Sequence, residues 1–134
     1  MQNVVKSAFS GKKILIVEDD PSLISLYKQK FENDQFIVDT ALDGEEGLNK
    51  AQNKEYSLII LDLMLPKLDG IEVLKRIKSN PDSQKVPILI LTNLGLSDVL
   101  AEQAKALGAD GFIIKYKTSL AEIVKQADIL LEST

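Results

Sequence analysis

At 134 residues the chain is long enough for one domain with a substantial core, and it needs no covalent staples. It contains no cysteine and no histidine, which excludes disulfides, thiolate chemistry, imidazole bases, Cys- or His-ligated metal and a phosphohistidine on this chain. A net charge of −4 gives no global attraction to nucleic acid or to an anionic membrane. No apolar run approaches the roughly 20 residues of a membrane span, and the first ten residues lack the apolar core of a secretion signal. A cytoplasmic domain that binds neither nucleic acid nor membrane is expected.

Residues 1–11 read as a flexible leader. Residues 13–17 form a short apolar strand that runs into Glu18, Asp19 and Asp20. Pro21 suits the first helical position, and Leu23, Leu26, Tyr27 and Phe31 recur at helical spacing behind it. A second strand is expected over 35–40, around Phe36, Ile37 and Val38. Asp43 suits the cap of a helix carrying Leu48 and Ala51, weakened by Gly44 and Gly47. The apolar run Leu58, Ile59, Ile60, Leu61 has the length and continuity of a strand buried on both faces. It ends on Asp62, and Pro66 and Gly70 then make a loop. Ile71, Val73, Leu74 and Ile77 give a helix that stops near Asn80 and Pro81. Residues 87–92 are a fourth strand, and Ser97 or Asp98 caps a helix with Leu100, Ala104 and Leu107 that ends at Gly108. A fifth strand covers 111–115. Leu120, Ile123, Val124, Ala127 and Leu131 line a last amphipathic helix.

Five strands alternating with five helices predict an α/β fold: a doubly wound, flavodoxin-like (βα)5 domain with helices on both faces of a parallel sheet. Right-handed crossovers favour the strand order 2-1-3-4-5, with a ligand crevice outside the carboxyl ends of the strands. Glu18, Asp19, Asp20, Asp62, Thr92 and Lys115 would all open onto that edge. Each has a plainer reading alone: the acids as helix caps or turn formers, Thr92 as a β-branched strand end, Lys115 as a solvated lysine. Their coincidence at four strand ends argues otherwise. Clustered carboxylates repel, so a cation must sit among them or their pKa values must rise. Oxygen donors without His or Cys suit Mg²⁺, with Mn²⁺ as a substitute. Asp62 beside such an ion is placed as a nucleophile toward phosphorus, with Lys115 and Thr92 available to the transferred oxygens.

The chain resembles the receiver domains of two-component response regulators over 12–132, leaving 133–134 as a tail. The matching stretches are Ile14-Leu15-Ile16-Val17-Glu18-Asp19-Asp20, Leu61-Asp62-Leu63-Met64-Leu65-Pro66, Leu68-Asp69-Gly70, Leu91-Thr92-Asn93 and Gly108-Ala109-Asp110-Gly111-Phe112-Ile113-Ile114-Lys115. The resemblance implies that Asp62 accepts a phosphoryl group from a sensor histidine kinase or a histidine phosphotransfer protein. It implies that Asp19, Asp62 and the Met64 carbonyl bind Mg²⁺ directly, with Glu18 acting through water and Asp20 as the helix-entry neighbour. It implies that Thr92 and Phe112 switch together, changing a face built from the fourth helix, fifth strand and fifth helix for an unidentified effector. On that face Phe112 and Tyr116 are candidate contacts, and a phosphorylation-dependent homodimer is compatible with it. Such a domain is mainly a signalling switch, without an independent small-molecule substrate.

Two features depart from the usual pattern. Tyr116 follows Lys115 where receiver domains usually have proline, often through a cis peptide, so the geometry of that bond is open. The Asn93-Leu94-Gly95 stretch makes a flexible, apolar loop after Thr92. Met64 and Leu94, two residues beyond Asp62 and Thr92, offer no useful donor or base for an attacking water, so slow loss of phosphate is expected. A pseudo-receiver interaction module is the main alternative, but such domains typically lose the acids or lysine present here. A metal-dependent phosphohydrolase would want a second acid where Met64 stands, and a flavin carrier a Gly/Ser/Thr-rich loop after the first strand.

Overall fold

Apolar runs of four or five residues are too short for stable helices, and here they lie side by side as strands. The computed structural model describes residues 9–53, 55–93 and 98–132. Its elements are β1 (Lys13–Val17), α1 (Pro21–Asn33), β2 (Ile37–Ala41), α2 (Gly44–Asn53), β3 (Leu58–Leu61), α3 (Gly70–Ser79), β4 (Ile88–Thr92), α4 (Asp98–Ala106), β5 (Gly111–Ile114), a 3-10 turn (Lys115–Lys117) and α5 (Leu120–Glu132). The sheet order is β2-β1-β3-β4-β5, every pairing parallel, as the alternation predicts. Among the described residues no helix is long and apolar enough to cross a membrane.

Period-two alternation sorts the strand residues into two cores. Ile14, Ile16, Leu58, Ile60, Leu89, Leu91 and Ile113 pack with Tyr27 and Phe31 of α1 and with Ile123 and Ala127 of α5. Leu15, Val17, Ile59, Leu61, Ile88 and Ile90 pack with Leu48 of α2, Leu74 and Ile77 of α3 and Ala104 of α4. Each fully buried Leu or Ile contributes about 1.5–3 kcal/mol, so the sheet is held from both faces.

The expected boundaries shift in four places. In α1 the core position belongs to Ile24, whereas Leu26 is 44% exposed. Residue 35 belongs to the end of α1 and not to a strand. Gln35 has φ 73°, its N–H donates to the Glu32 carbonyl, and the Phe36 N–H donates to the Phe31 carbonyl. These two bonds close a Schellman motif, and its apolar contact is the edge-on packing of Phe36 against Phe31, with centroids 5.6 Å apart. β5 stops at Ile114, and Lys115 opens the 3-10 turn instead of ending the strand. Asp69, not singled out in the sequence, caps α3 by accepting the Glu72 N–H at 3.0 Å. Of the leader, Phe9 packs against the first core and the Gly11 N–H donates to the Gln35 carbonyl at 2.8 Å, whereas residues 1–8 lie outside the described residues, as do Leu94, Gly95, Ser97 and the tail 133–134.

A lysine ties together the amino ends of β4 and β5. Lys78, at the end of α3, donates to the Gln84 carbonyl at 3.3 Å, the Val86 carbonyl at 2.9 Å and Asp110 Oδ2 at 3.2 Å. The same Asp110 oxygen accepts the Ile88 N–H at 2.8 Å.

Candidate functional site

Strand register brings four distant stretches together. Val17 pairs with Leu61, so Glu18 and Asp62 leave the sheet side by side. Thr92 pairs with Ile114, so Lys115 leaves one residue past Thr92, level with Asn93. Alternation then selects the side chains that meet. Ile16, Ile60 and Ile113 face α1 and α5, and Glu18, Asp62 and Lys115 stand two residues beyond them with the same parity.

These residues share a cleft of about 570 Å³ lined by Glu18, Asp19, Asp20, Leu23, Asp62, Met64, Leu65, Pro66, Thr92, Asn93 and Lys115. Glu18, Asp62 and Thr92 are buried, at 2%, 5% and 0% exposure, while Asp19 is exposed. The Lys115 ammonium lies 2.8 Å from Asp62 Oδ2 and in direct contact with Glu18 Oε1. The other oxygens are held by backbone: Asp62 Oδ1 accepts the Met64 N–H and Glu18 Oε2 accepts the Asp20 N–H, each at 3.0 Å. Asp20 itself caps α1, accepting the Ser22 and Leu23 N–H groups at 2.9 and 3.3 Å.

The electrostatics follow from burial. Loss of water raises the Glu18 pKa, and the Lys115 ammonium and the Asp20 N–H oppose that rise without cancelling it. Burial also disfavours charge on Lys115, but Asp62 and Glu18 outweigh it and hold the lysine pKa above its ordinary value. Lys115 therefore stays protonated at neutral pH. Glu18, Asp19 and Asp62 can bring one carboxylate oxygen each within 4.8 Å of one another, and among the described residues Lys115 is the one cation lining the cleft. Three acids against one base leave excess negative charge. An all-oxygen donor set of this charge suits a hard divalent cation.

The loop after Asp62 is fastened at two points. The Gly70 N–H donates to the Leu63 carbonyl at 2.9 Å, and the Gly44 N–H donates to the Pro66 carbonyl at 3.3 Å. A β-carbon on Gly70 would fall 2.4 Å from the Asp62 carbonyl oxygen, and one on Gly44 would fall 1.8 Å from that of Leu68, so both approaches need glycine.

Of the residues singled out in the sequence, Glu18, Asp19, Asp62, Met64, Thr92 and Lys115 converge on the cleft. Met64 stands at its mouth, 58% exposed, whereas Leu94 lies outside the described residues. Phe112 does not line the cleft; like Leu100 and Leu107 it is half-buried against the core cluster that includes Ile88, Ile90 and Ala104. Tyr116 is exposed, and the Lys115–Tyr116 peptide is trans. Two contacts were missed. One is the direct meeting of Glu18 with Lys115, which shared parity with Asp62 signals. The other is the Asn93 side chain, whose Oδ1 accepts the Tyr116 N–H at 3.0 Å.

The family profile described as the response regulator receiver domain matches residues 14–128. The alkaline phosphatase synthesis transcriptional regulatory protein PhoP of Bacillus subtilis (strain 168) is 44% identical over 109 residues, which is 78% of this chain and 42% of that protein. The response regulator ArlR of Staphylococcus saprophyticus is 41% identical over 104 residues, 77% of this chain and 45% of that protein. The chain thus spans less than half the length of these relatives. Among solved structures, the receiver domain of the Francisella response regulator 1452 superposes with a TM-score of 0.82 at 30% identity, covering 92% of this chain and 98% of that one. The receiver domain of a sensor histidine kinase from Pseudomonas aeruginosa PAO1, solved with a magnesium ion coordinated in its active-site cleft, superposes with a TM-score of 0.83 at 25% identity, covering 92% of this chain and 99% of that one. By profile, by identity to curated relatives and by fold, this chain belongs to the response regulator receiver domains.

Proposed function

We propose that the domain accepts a phosphoryl group on Asp62 from a sensor histidine kinase or a histidine phosphotransfer protein. The observation that carries this is the buried Lys115 ammonium shared by Asp62, at 2.8 Å, and Glu18, in a cleft that keeps excess negative charge. One oxygen of the Asp62 carboxylate attacks phosphorus. The bond from phosphorus to the donor nitrogen breaks, and its electron pair leaves with the donor imidazole. Lys115 turns from the carboxylate to an oxygen of the transferred group, and the buried Thr92 hydroxyl meets another. Asp19 and Asp62, with the Met64 carbonyl, would hold Mg²⁺ or Mn²⁺, and Glu18 would act on it through water. The ion supplies the charge neutralisation that brings an anionic donor to an anionic acceptor. The magnesium in the Pseudomonas receiver domain supports this choice of ion.

Phosphorylation adds about −1.5 to −2 charge and three acceptor oxygens to the cleft. Engagement of Thr92 draws the end of β4 toward them, and Phe112 on the neighbouring strand repacks under α4. The face made by α4, β5 and α5 is then presented differently to an effector, as a shift between two packings. Incubation with acetyl phosphate and Mg²⁺ tests the chemistry. Intact mass should rise by one phosphoryl group in the wild type and not in Asp62→Asn. A wild type that gains nothing, or an Asp62→Asn variant that gains as much, would refute it.

A further inference from the structure

The last ladder pair of β4 and β5 is Thr92 with Ile114, and beyond it the two backbones part. The chain after Ile114 turns into the 3-10 turn, which leaves the Tyr116 N–H without a partner strand. Asn93 supplies one. Its side-chain Oδ1 accepts that N–H at 3.0 Å, so a carboxamide stands in for the backbone carbonyl that the ladder no longer provides. The turn is held on its other flank too: the Thr118 hydroxyl donates to the Ile114 carbonyl at 2.9 Å, and the Thr118 N–H donates to the Lys115 carbonyl at 3.3 Å.

Lys115 sits between these two anchors. Its long side chain has many rotamers, and its ammonium reaches Asp62 only from a fixed Cα position. The side chain is 8% exposed, so it is held along its length as well as at its tip. Asn93 lines the same cleft, and the bond it makes reaches Lys115 through the backbone of the lysine turn.

Resting on the phosphoacceptor reading above, we propose that Asn93 is a positioning residue: by holding the Tyr116 N–H it ties the lysine turn to the residue that follows Thr92 and aims Lys115 at Asp62. The two groups that would meet the phosphoryl oxygens, the Thr92 hydroxyl and the Lys115 ammonium, are thereby joined by a short path of Thr92, Asn93, Tyr116 and Lys115. A displacement of Thr92 is felt at the lysine turn through this side chain as well as through the ladder pair with Ile114.

Two readouts test it. The first is competitive acylation of lysines by acetic anhydride, resolved by mass spectrometry, which reports the accessibility of the Lys115 amine without any phosphorylation. Asn93→Ala should raise Lys115 labelling several-fold while Lys78 labelling stays constant. Tyr116→Ala, which keeps the N–H, should label like the wild type. The second is the rate of phosphoryl incorporation from acetyl phosphate, expected to fall roughly two- to tenfold in Asn93→Ala, the range set by losing one hydrogen bond. Combining Asn93→Ala with Tyr116→Ala should slow it no further than Asn93→Ala alone, because the bond uses the Tyr116 backbone and not its ring. Equal Lys115 labelling in Asn93→Ala and wild type, or a further loss in the double variant, would overturn the proposal. If the wild type takes up no phosphoryl group while Lys115 labelling still responds to Asn93→Ala, the clasp stands and the phosphoacceptor reading falls.

Discussion

Lys78 and Lys115 are both withdrawn from solvent at the ends of the sheet, and they illustrate two different uses of a lysine. Lys78, 16% exposed, spends its three donor protons on two carbonyls and one carboxylate, and among the described residues its charge is matched by Asp110. Lys115, 8% exposed, faces two buried carboxylates, with Asp19 close by. The first cluster is balanced in charge and in hydrogen bonds, and has nothing left to bind. The second has a surplus of acid at a solvent-open cleft. A balanced lysine fastens chain segments; an outnumbered one marks a place where another cation or a charged group can enter.

The comparison breaks most visibly if each lysine is replaced by methionine. In Lys115→Met the two buried carboxylates lose their partner, which should cost about 3 kcal/mol in metal-free urea denaturation, with part of the loss restored by added Mg²⁺. Phosphoryl incorporation from acetyl phosphate should drop about 100-fold in the same variant. Lys78→Met should cost about 2 kcal/mol, with no recovery on adding Mg²⁺ and no change in incorporation rate. Identical magnesium responses in the two variants would erase the distinction. Acid replacements sharpen it further. Asp19→Asn and Asp62→Asn should each weaken Mg²⁺ binding by calorimetric titration by about tenfold, roughly 1.4 kcal/mol, while Asp110→Asn leaves it unchanged. The smallest effect concerns the open mouth that the Lys78 cluster lacks. Met64→Asn and Leu94→Glu should each hasten loss of phosphate, the pair by about tenfold, measured as decay of the phosphorylated mass. A wild-type phosphoprotein that decays within seconds would contradict the expectation of a slow clock.

The sheet could be read from the sequence because β1, β3 and β4 are apolar throughout, and runs such as Leu58–Leu61 admit few other readings. Their carboxyl ends were legible for the same reason: an acid or hydroxyl after such a run is conspicuous. Gln35 was misplaced because a left-handed residue after a helix is usually glycine, and the Phe31–Phe36 contact that stabilises it is a property of the folded turn. Leu26 was placed in the core although Ile24, Tyr27 and Phe31 share one helical face at i, i+3 and i+7, and Leu26 lies on the opposite side of the helix. The contact between Glu18 and Lys115 spans most of the chain, and only register reveals it. Asn93 looked like loop filling because its role depends on where the backbone of Tyr116 goes.

The two glycine contacts give the cleft a fixed side and a responsive one. On the acid side, the Leu63 and Pro66 carbonyls are taken by the first N–H groups of α3 and α2, at positions where any β-carbon would collide with backbone. Asp62 is in effect bolted to two helices, and an added charge there has no slack to take up on that side. On the opposite side, the strand ends that carry Thr92 and Lys115 are joined past the sheet edge by the bond from the Tyr116 N–H to the Asn93 side chain. If Asp62 takes a phosphoryl group as proposed, the force generated there would be delivered across the cleft to β4 and β5, as a vice with one stationary jaw moves only the other. On that reading residues 44 and 70 would set the direction of the signal, Gly70 by lying directly against the Asp62 carbonyl.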